Sequence, residues 1–288
     1  MKQFIKEYHK PKDWKTLSNF LLASNVSAET IMLSSKPKAI HDRNIESAID
    51  LSGMHLEGIK VENGMIEIGV MTTLQAIVES DVLKSENVSV LCDAAKRTAR
   101  INIRNLSVLG GILRDIDGPG ELAAVLLILN AYAIIRNDEK TRKMPFSDYL
   151  DSSAKLDKGD VLIAVSFASD PNRAICLERV SRTPQDQEIV AAVVSIERYG
   201  NKVSDAKIAV SGATPSCHRF KSAEAVLLNQ EFSESLAETA GETAALETNP
   251  KSDFRGSATY RKAMTTVLIK RAVMNAWKKS TASLGDQS

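Results

Sequence analysis

The chain has 288 residues, 43% hydrophobic and 25% charged, an ordinary globular composition with length enough for more than one hydrophobic core. Lysine plus arginine (37) nearly balance aspartate plus glutamate (36), so no strong positive field exists to draw nucleic acid or an anionic membrane. Aromatic residues, at 5%, offer little surface for stacking bases.

The opening MKQFIKEYHKPKDW lacks the apolar core of a secretory signal. The longest apolar run, Leu122 to Ile135, is broken by Asn130 and too short to span a bilayer. A cytoplasmic protein is the expectation. Trp14 to Ala23 carries apolar residues at helical spacing. Thr30 to Leu33 reads as a strand entering the polar loop Ser34 to Asn44, and Ile45 to Leu51 as the next strand. Gly58 to Val70 is a hairpin, because Asn63-Gly64 supplies the positive φ angles of a tight turn. Thr73 to Ser80 and Val88 to Ala99 read as helices.

The segment Ile101 to Gly120 fits no simple period. A helix over Glu121 to Asn130 follows, then strands at Ala131 to Ile135 and Val161 to Phe167. The turn-rich loop Ala168 to Arg173 is the candidate boundary between halves. Beyond it, Ile175 to Val180, Ile189 to Arg198 and Ala206 to Ser211 read as strands of one sheet. Helices are expected at Ser222 to Leu228, Phe232 to Ala240 and Tyr260 to Lys278. On the last of these, Met264, Val267, Leu268, Arg271, Ala272 and Trp277 form an apolar stripe. Strands and helices do not alternate strictly, so the expected class is α+β.

Two loops have the make-up of ligand sites. Ser34-Ser35-Lys36-Pro37-Lys38 follows a strand and combines hydroxyls with ammonium groups around an exposed backbone, which suits an anion; a solvated surface loop fits it as well. In Arg104 to Ile112, Gly110-Gly111 permits close backbone approach or positive φ, and Arg104 is a fixed cation that either orders the loop or faces a phosphate. A glycine bend with Arg104 bridging carboxylates fits the same residues. Asp117 to Glu121 then opens a helix, whose N-terminus attracts anions. The three cysteines (Cys92, Cys176, Cys217) match no disulfide, zinc or iron–sulfur spacing, and the four histidines have no paired acid or thiol. With neither a Walker loop nor a G-x-G-x-x-G fingerprint, the hard chemistry falls to a cofactor or another subunit.

Taken in order, six segments resemble the FAD-binding medium subunit of the molybdenum hydroxylases, the family of xanthine and carbon monoxide dehydrogenases. Met65 to Leu74 resembles the family's L-x-I-G-A-x-T-T segment, and Ile103-Arg104-Asn105 with Gly110-Gly111 its I-R-N-x-G-T-x-G-G-N loop. The run Glu121 to Ala131 resembles the helix behind that loop. Arg182 with Ile189 to Val193, then Ser211 to Pro215 with Ala223-Glu224, resemble elements of the C-terminal domain. Asp253 to Arg261 resembles the D-x-R-x-S-x-x-Y-R motif that opens the last helix.

The resemblance implies an FAD-binding domain of the vanillyl-alcohol-oxidase type in two lobes, residues 1–51 and 52–169, and a C-terminal sheet-and-helix domain over 170–288. It implies electron transfer: a molybdopterin-binding large subunit oxidises the substrate at its molybdenum cofactor. Electrons then pass through two [2Fe–2S] clusters of an iron–sulfur small subunit to FAD here, and on to NAD or another acceptor. FAD would be held by Ser34, Ser35, Lys36, Arg104, Ser107, Gly110, Gly111 and Glu121. The phosphate loops depart from the family pattern. M-L-S-S-K at 32–36 replaces A-G-G-T, and Ser107-Val108 replaces Gly-Thr. Each lost phosphate donor costs about 1–3 kcal/mol, so two or three weaken binding by several powers of ten. Ser34, Ser35, Lys36 and Lys38 offer donors in compensation. A flavin-free subunit that keeps the fold to hold its partners together is the rival expectation.

Overall fold

A computed structural model describes residues 7–22, 47–85, 88–114, 120–138, 140–151, 156–170 and 172–285. The strand and loop expected at Thr30 to Asn44, with Ser34, Ser35 and Lys36, lie outside them. The class is α+β. A short parallel pair, β1 (Glu7–His9) with β2 (Ser47–Ile49), flanks helix α1 (Trp14–Leu22). The Asn63-Gly64 turn joins β3 (Ile59–Glu62) to β4 (Met65–Gly69), and both turn residues have positive φ, as that pair was expected to supply.

Next come α2 (Leu74–Glu79), α3 (Asp81–Ser85) and α4 (Ser89–Thr98). The aperiodic segment after them holds two short helices, α5 (Ile101–Arg104) and α6 (Leu109–Leu113). Then follow α7 (Gly120–Ile128), β5 (Tyr132–Asn137), β6 (Lys140–Pro145), α8 (Phe146–Asp151) and β7 (Val161–Ala168). The strands form one antiparallel sheet in the order β3-β4-β7-β5-β6.

The second half builds a four-stranded antiparallel sheet, β11-β10-β9-β8, from β8 (Ala174–Val180), β9 (Val190–Tyr199), β10 (Lys202–Ser211) and β11 (His218–Arg219). Helices α9 (Lys221–Leu227), α10 (Glu234–Glu247) and α11 (Ala258–Gly285) follow, and α10 and α11 pack on each other. One hydrophobic core lies between this sheet and the helices; the other fills the first half and reaches the opposite face of the sheet at Ile175, Val193 and Ala209. Strand β9 is therefore covered on both faces, which explains its unbroken apolar run Val190 to Val194.

Helix α7 locks the halves together. Every residue from Glu121 to Ile128 is buried, because the helix packs on α4 on one side and on β9 and β10 on the other. A helix apolar all round is the sequence signature of such a position. On α11, the buried stripe is Leu268, Ile269, Ala272, Val273, Ala276 and Trp277, while Val267, expected on it, is 36% exposed.

Candidate functional site

The site is built on the segment that leaves β4. Gly69 has no room for a side chain, since a Cβ there would stand 2.2 Å from the Leu56 carbonyl oxygen. The chain then runs alongside the glycine loop. The Leu109 amide donates to Thr72 O (2.9 Å), the Gly110 amide to Val70 O (2.8 Å), and the Leu74 amide to Ser107 O (2.9 Å). Thr73 caps α2 by accepting from the Ala76 amide. Gly110 and Gly111 lie buried in the right-handed helix α6, so neither takes a left-handed backbone. The Ile112 amide donates to Val108 O. Among the described residues, the Gly111 amide is the donor of this first turn without an acceptor.

Arg104 is buried and committed to the protein. Its Nε donates to Gln75 Oε1 (2.9 Å), and its Nη1 to the carbonyls of Lys96 (3.0 Å) and Ala99 (2.7 Å). The guanidinium thus ties α5 to the C-terminal end of α4 and to α2. Ser107 is also buried, and its hydroxyl donates to Ile103 O at 2.9 Å.

Glu121 stands in the first turn of α7, where the helix dipole favours a carboxylate. Arg179 of β8 brings its Nε to 2.9 Å from Glu121 Oε1, both side chains at 9% exposure or less. The N–H is poorly aimed, and neither carboxylate oxygen has a hydrogen bond among the described residues. Burial, then the like charge of Glu188, push the Glu121 carboxyl up to about 8 against the pull of Arg179 and Arg97. Sequence reading did not nominate Arg179 or Glu188. A signal existed for the first: Arg179 follows Ile175 and Leu177 at strand spacing, a charge on an inward-facing row.

Gly120, Glu188, Ser211, Gly212 and Arg261 line a small cavity of about 50 Å³ beside this turn. Glu188 Oε1 accepts from the Ser211 hydroxyl (2.9 Å), and Glu188 lies 3.2 Å from where a Gly120 Cβ would be. The Asp253 to Arg261 motif forms its wall. Arg261, buried, donates through Nη1 to Ile189 O (2.5 Å) and Gly212 O (2.8 Å), and through Nη2 to Asp253 Oδ1 (2.7 Å). Burial opposes ionisation of Asp253, yet hydrogen bonds from Arg261, Arg255 and Gly256 hold its carboxyl well below the usual range. Ser257 accepts from the Tyr260 amide at the start of α11. The motif is a clasp between the last helix and the sheet.

The structure thus brings Gly110, Gly111, Ser107 and Arg104 together around α6 and places Glu121 on α7, which packs against it. Asp117, Gly118 and Pro119 lie outside the described residues. All three cysteines are free and buried; Cys92 and Cys217 donate to the Ile77 and Val210 carbonyls. Among the described residues, no cluster of three or more His, Cys, Asp or Glu is placed to hold a metal, and no helix is long and apolar enough to cross a membrane.

Comparison with known proteins assigns both halves. The family model for the FAD binding domain in molybdopterin dehydrogenase matches residues 3–168, and that for the CO dehydrogenase flavoprotein C-terminal domain matches residues 176–276. The chain is 25% identical over 240 residues to the carbon monoxide dehydrogenase medium chain of Hydrogenophaga pseudoflava, covering 81% of this chain and 83% of that one. It is 30% identical over 216 residues to the nicotine 6-hydroxylase medium subunit of Paenarthrobacter nicotinovorans, covering 73% and 75%. A solved carbon monoxide dehydrogenase from Hydrogenophaga pseudoflava contains a chain that superposes with a TM-score of 0.88 at 24% identity, covering 96% of this chain and 99% of the other.

Proposed function

The chain belongs to the family of FAD-binding medium subunits of molybdopterin dehydrogenases, oxidoreductase complexes of several subunits, and on that premise we propose that it binds FAD and transfers electrons within such a complex. Its partners in this reading are an iron–sulfur small subunit and a molybdopterin-binding large subunit, where the organic substrate reacts. When bound, FAD supplies the redox chemistry that connects the [2Fe–2S] clusters of the small subunit to NAD or another acceptor.

The residues present fit the cofactor, and the observation that carries the reading is the Gly111 amide. It is buried in the first turn of α6 without an acceptor among the described residues, and a pyrophosphate oxygen is the partner this family's domain supplies. Gly110, lacking a Cβ, keeps the approach open. Arg104 positions the loop: its Nε donates to Gln75 and its Nη1 to the carbonyls of Lys96 and Ala99, and the phosphate is assigned to the backbone. Ser107 donates its hydroxyl proton to Ile103 O and so braces the start of the loop. The two oxygens of the Glu121 carboxyl have no hydrogen bond among the described residues, and ribose hydroxyls, which both donate and accept, suit it. Ser34, Ser35 and Lys36, which lie outside the described residues, are assigned to the same pyrophosphate as further donors.

The flavin-free architectural subunit is favoured by one observation: the cation and the hydroxyl beside the loop, Arg104 and Ser107, already donate to protein carbonyls. An absorbance scan of the purified complex near about 450 nm, where oxidised flavin absorbs, with and without added FAD, separates the readings. A flavin band that survives desalting is expected. A colourless complex that stays colourless after incubation with FAD supports the architectural subunit instead.

A further inference from the structure

A second cavity, of about 270 Å³, lies at the other end of α7, where the two halves of the chain meet. Small-molecule sites start at roughly 300 Å³, so the space suits a compact ligand. Most of its wall is apolar, from Met65, Val88, Ile128, Leu129, Tyr132 and Ile175. Three charged residues reach it: Lys207, Arg173 and Asp170. Two cations and one carboxylate leave the lining with a net charge of +1.

The cations differ in how far they are neutralised. Arg173 is held by Asp170 at 2.7 Å, Asp205 at 2.5 Å and Glu197 at 3.4 Å. Lys207 is only 7% exposed and, among the described residues, has neither a hydrogen bond nor an ion pair. It sits in mid-strand on β10, on the row with Asp205 and Ala209 that faces the first half of the chain. Its Nζ is not sealed off as the unpartnered oxygens of Glu121 are; it opens to the cavity, where a partly desolvated ammonium gains from an arriving anion.

We propose that this cavity binds a small monocarboxylate with an aromatic or branched apolar body, the carboxylate pairing with Lys207 Nζ and the body lying against the apolar wall. A dianion such as phosphate meets Asp170 at the rim and finds an apolar wall where it needs donors. The site is separate from the flavin reading. Glu121 stands at the N-terminal end of α7, roughly 12 Å along the helix axis from Leu129.

Titration supports the assignment. Burial, then the positive charge of Arg173, lower the Lys207 ammonium to about 8; Asp205 and Asp170 oppose this and Arg219 reinforces it. Glu197 of β9 reaches Lys207 only through Arg173, and neither α7 nor β4 contributes a charged group to the lining. A bound carboxylate stabilises the charged amine, so binding weakens above pH 8 and takes up a proton there.

The test is calorimetric titration of the full chain with benzoate and with benzamide, its neutral analogue, at pH 7 and 8.5, repeated on Lys207→Met. Benzoate is expected to bind wild type at least tenfold tighter than benzamide, and Lys207→Met to lose that preference. Proton uptake on benzoate binding is expected at pH 8.5. The proposal is overturned if benzoate shows no heat of binding up to about 10 mM. Equal affinities for acid and amide in wild type overturn it too, and that comparison needs no variant to fold.

Discussion

Replacing Glu121 by glutamine should stabilise the protein, and by an amount that depends on pH. In the folded chain the carboxyl is raised to about 8, by burial and then by Glu188, from a reference near 4.5. The folded protein therefore holds a proton that the unfolded chain releases between those values. The stability linked to it is complete below pH 4.5 and is lost as pH rises through 8. At pH 7 the unfolded chain has gained about 2.5 units of ionisation free energy that the folded one has not, or about 3 kcal/mol at 1.36 kcal/mol per unit. Glutamine mimics the protonated acid and titrates in neither state. Glu121→Gln should thus match wild type near pH 4.5 and exceed it by about 3 kcal/mol at pH 7, the pull of Arg179 being already contained in the folded value. Urea unfolding midpoints from pH 4.5 to 8.5 read this directly. A variant that is less stable than wild type at pH 7 would refute the reasoning, because it would show that Arg179, 2.9 Å away, keeps Glu121 ionised.

Two further substitutions probe the scaffold of the flavin loop. Arg104→Lys keeps the charge but cannot span Gln75, Lys96 O and Ala99 O together. It should cost about 2–3 kcal/mol in a denaturant melt and weaken FAD at least tenfold as the loop loosens. A loss of flavin affinity with stability intact would instead make Arg104 a direct phosphate ligand. Gly69→Ala drives a Cβ to 2.2 Å from Leu56 O, a backbone atom that cannot step aside. The expected loss is about 3 kcal/mol, and a melting temperature within a degree or so of wild type would contradict the crowding seen at that position.

Local chemistry made much of the architecture legible. Asn63-Gly64 announced its hairpin, and the alternation in Ile175 to Val180 announced the strand observed over Ala174–Val180. Strand β6 was missed because Lys140 to Lys143 is wholly polar: it is the edge strand, pairs on one side only and needs no apolar face. The break inside Ile101 to Leu113 was readable as irregular but not as two short helices, since their ends are set by bonds to Val70, Thr72 and Leu74 about 35 residues earlier. Helix α10 runs on to Glu247, beyond the expected Ala240, because Ala244 and Ala245 still pack on α11.

The site was legible by resemblance and only partly by chemistry. Gly110 and Gly111 could be nominated because paired glycines in an apolar run permit close backbone approach or positive φ, although a simple glycine bend fitted the same residues. Whether Arg104 faces a phosphate or the protein could not be read locally, because its acceptors are two carbonyls and a glutamine side chain 29 residues away. Arg179 and Glu188 escaped for the same reason: they meet Glu121 only when α7 docks on the second sheet. Lys207 reads in sequence as one more strand lysine, and only the tertiary structure reveals its burial.

Flavin binding at α6 depends on a phosphate oxygen accepting from the Gly111 amide, and one titration reaches that bond. Gly111→Pro removes the amide hydrogen at the third position of α6, Gly111→Ala keeps it and controls for added bulk, and circular dichroism checks that each variant folds. FAD, followed by the quenching of its fluorescence, should bind wild type and lose at least tenfold in affinity for Gly111→Pro, about 1.4 kcal/mol for one donor. Equal affinity in the two folded proteins would mean that the dinucleotide is held elsewhere or not at all.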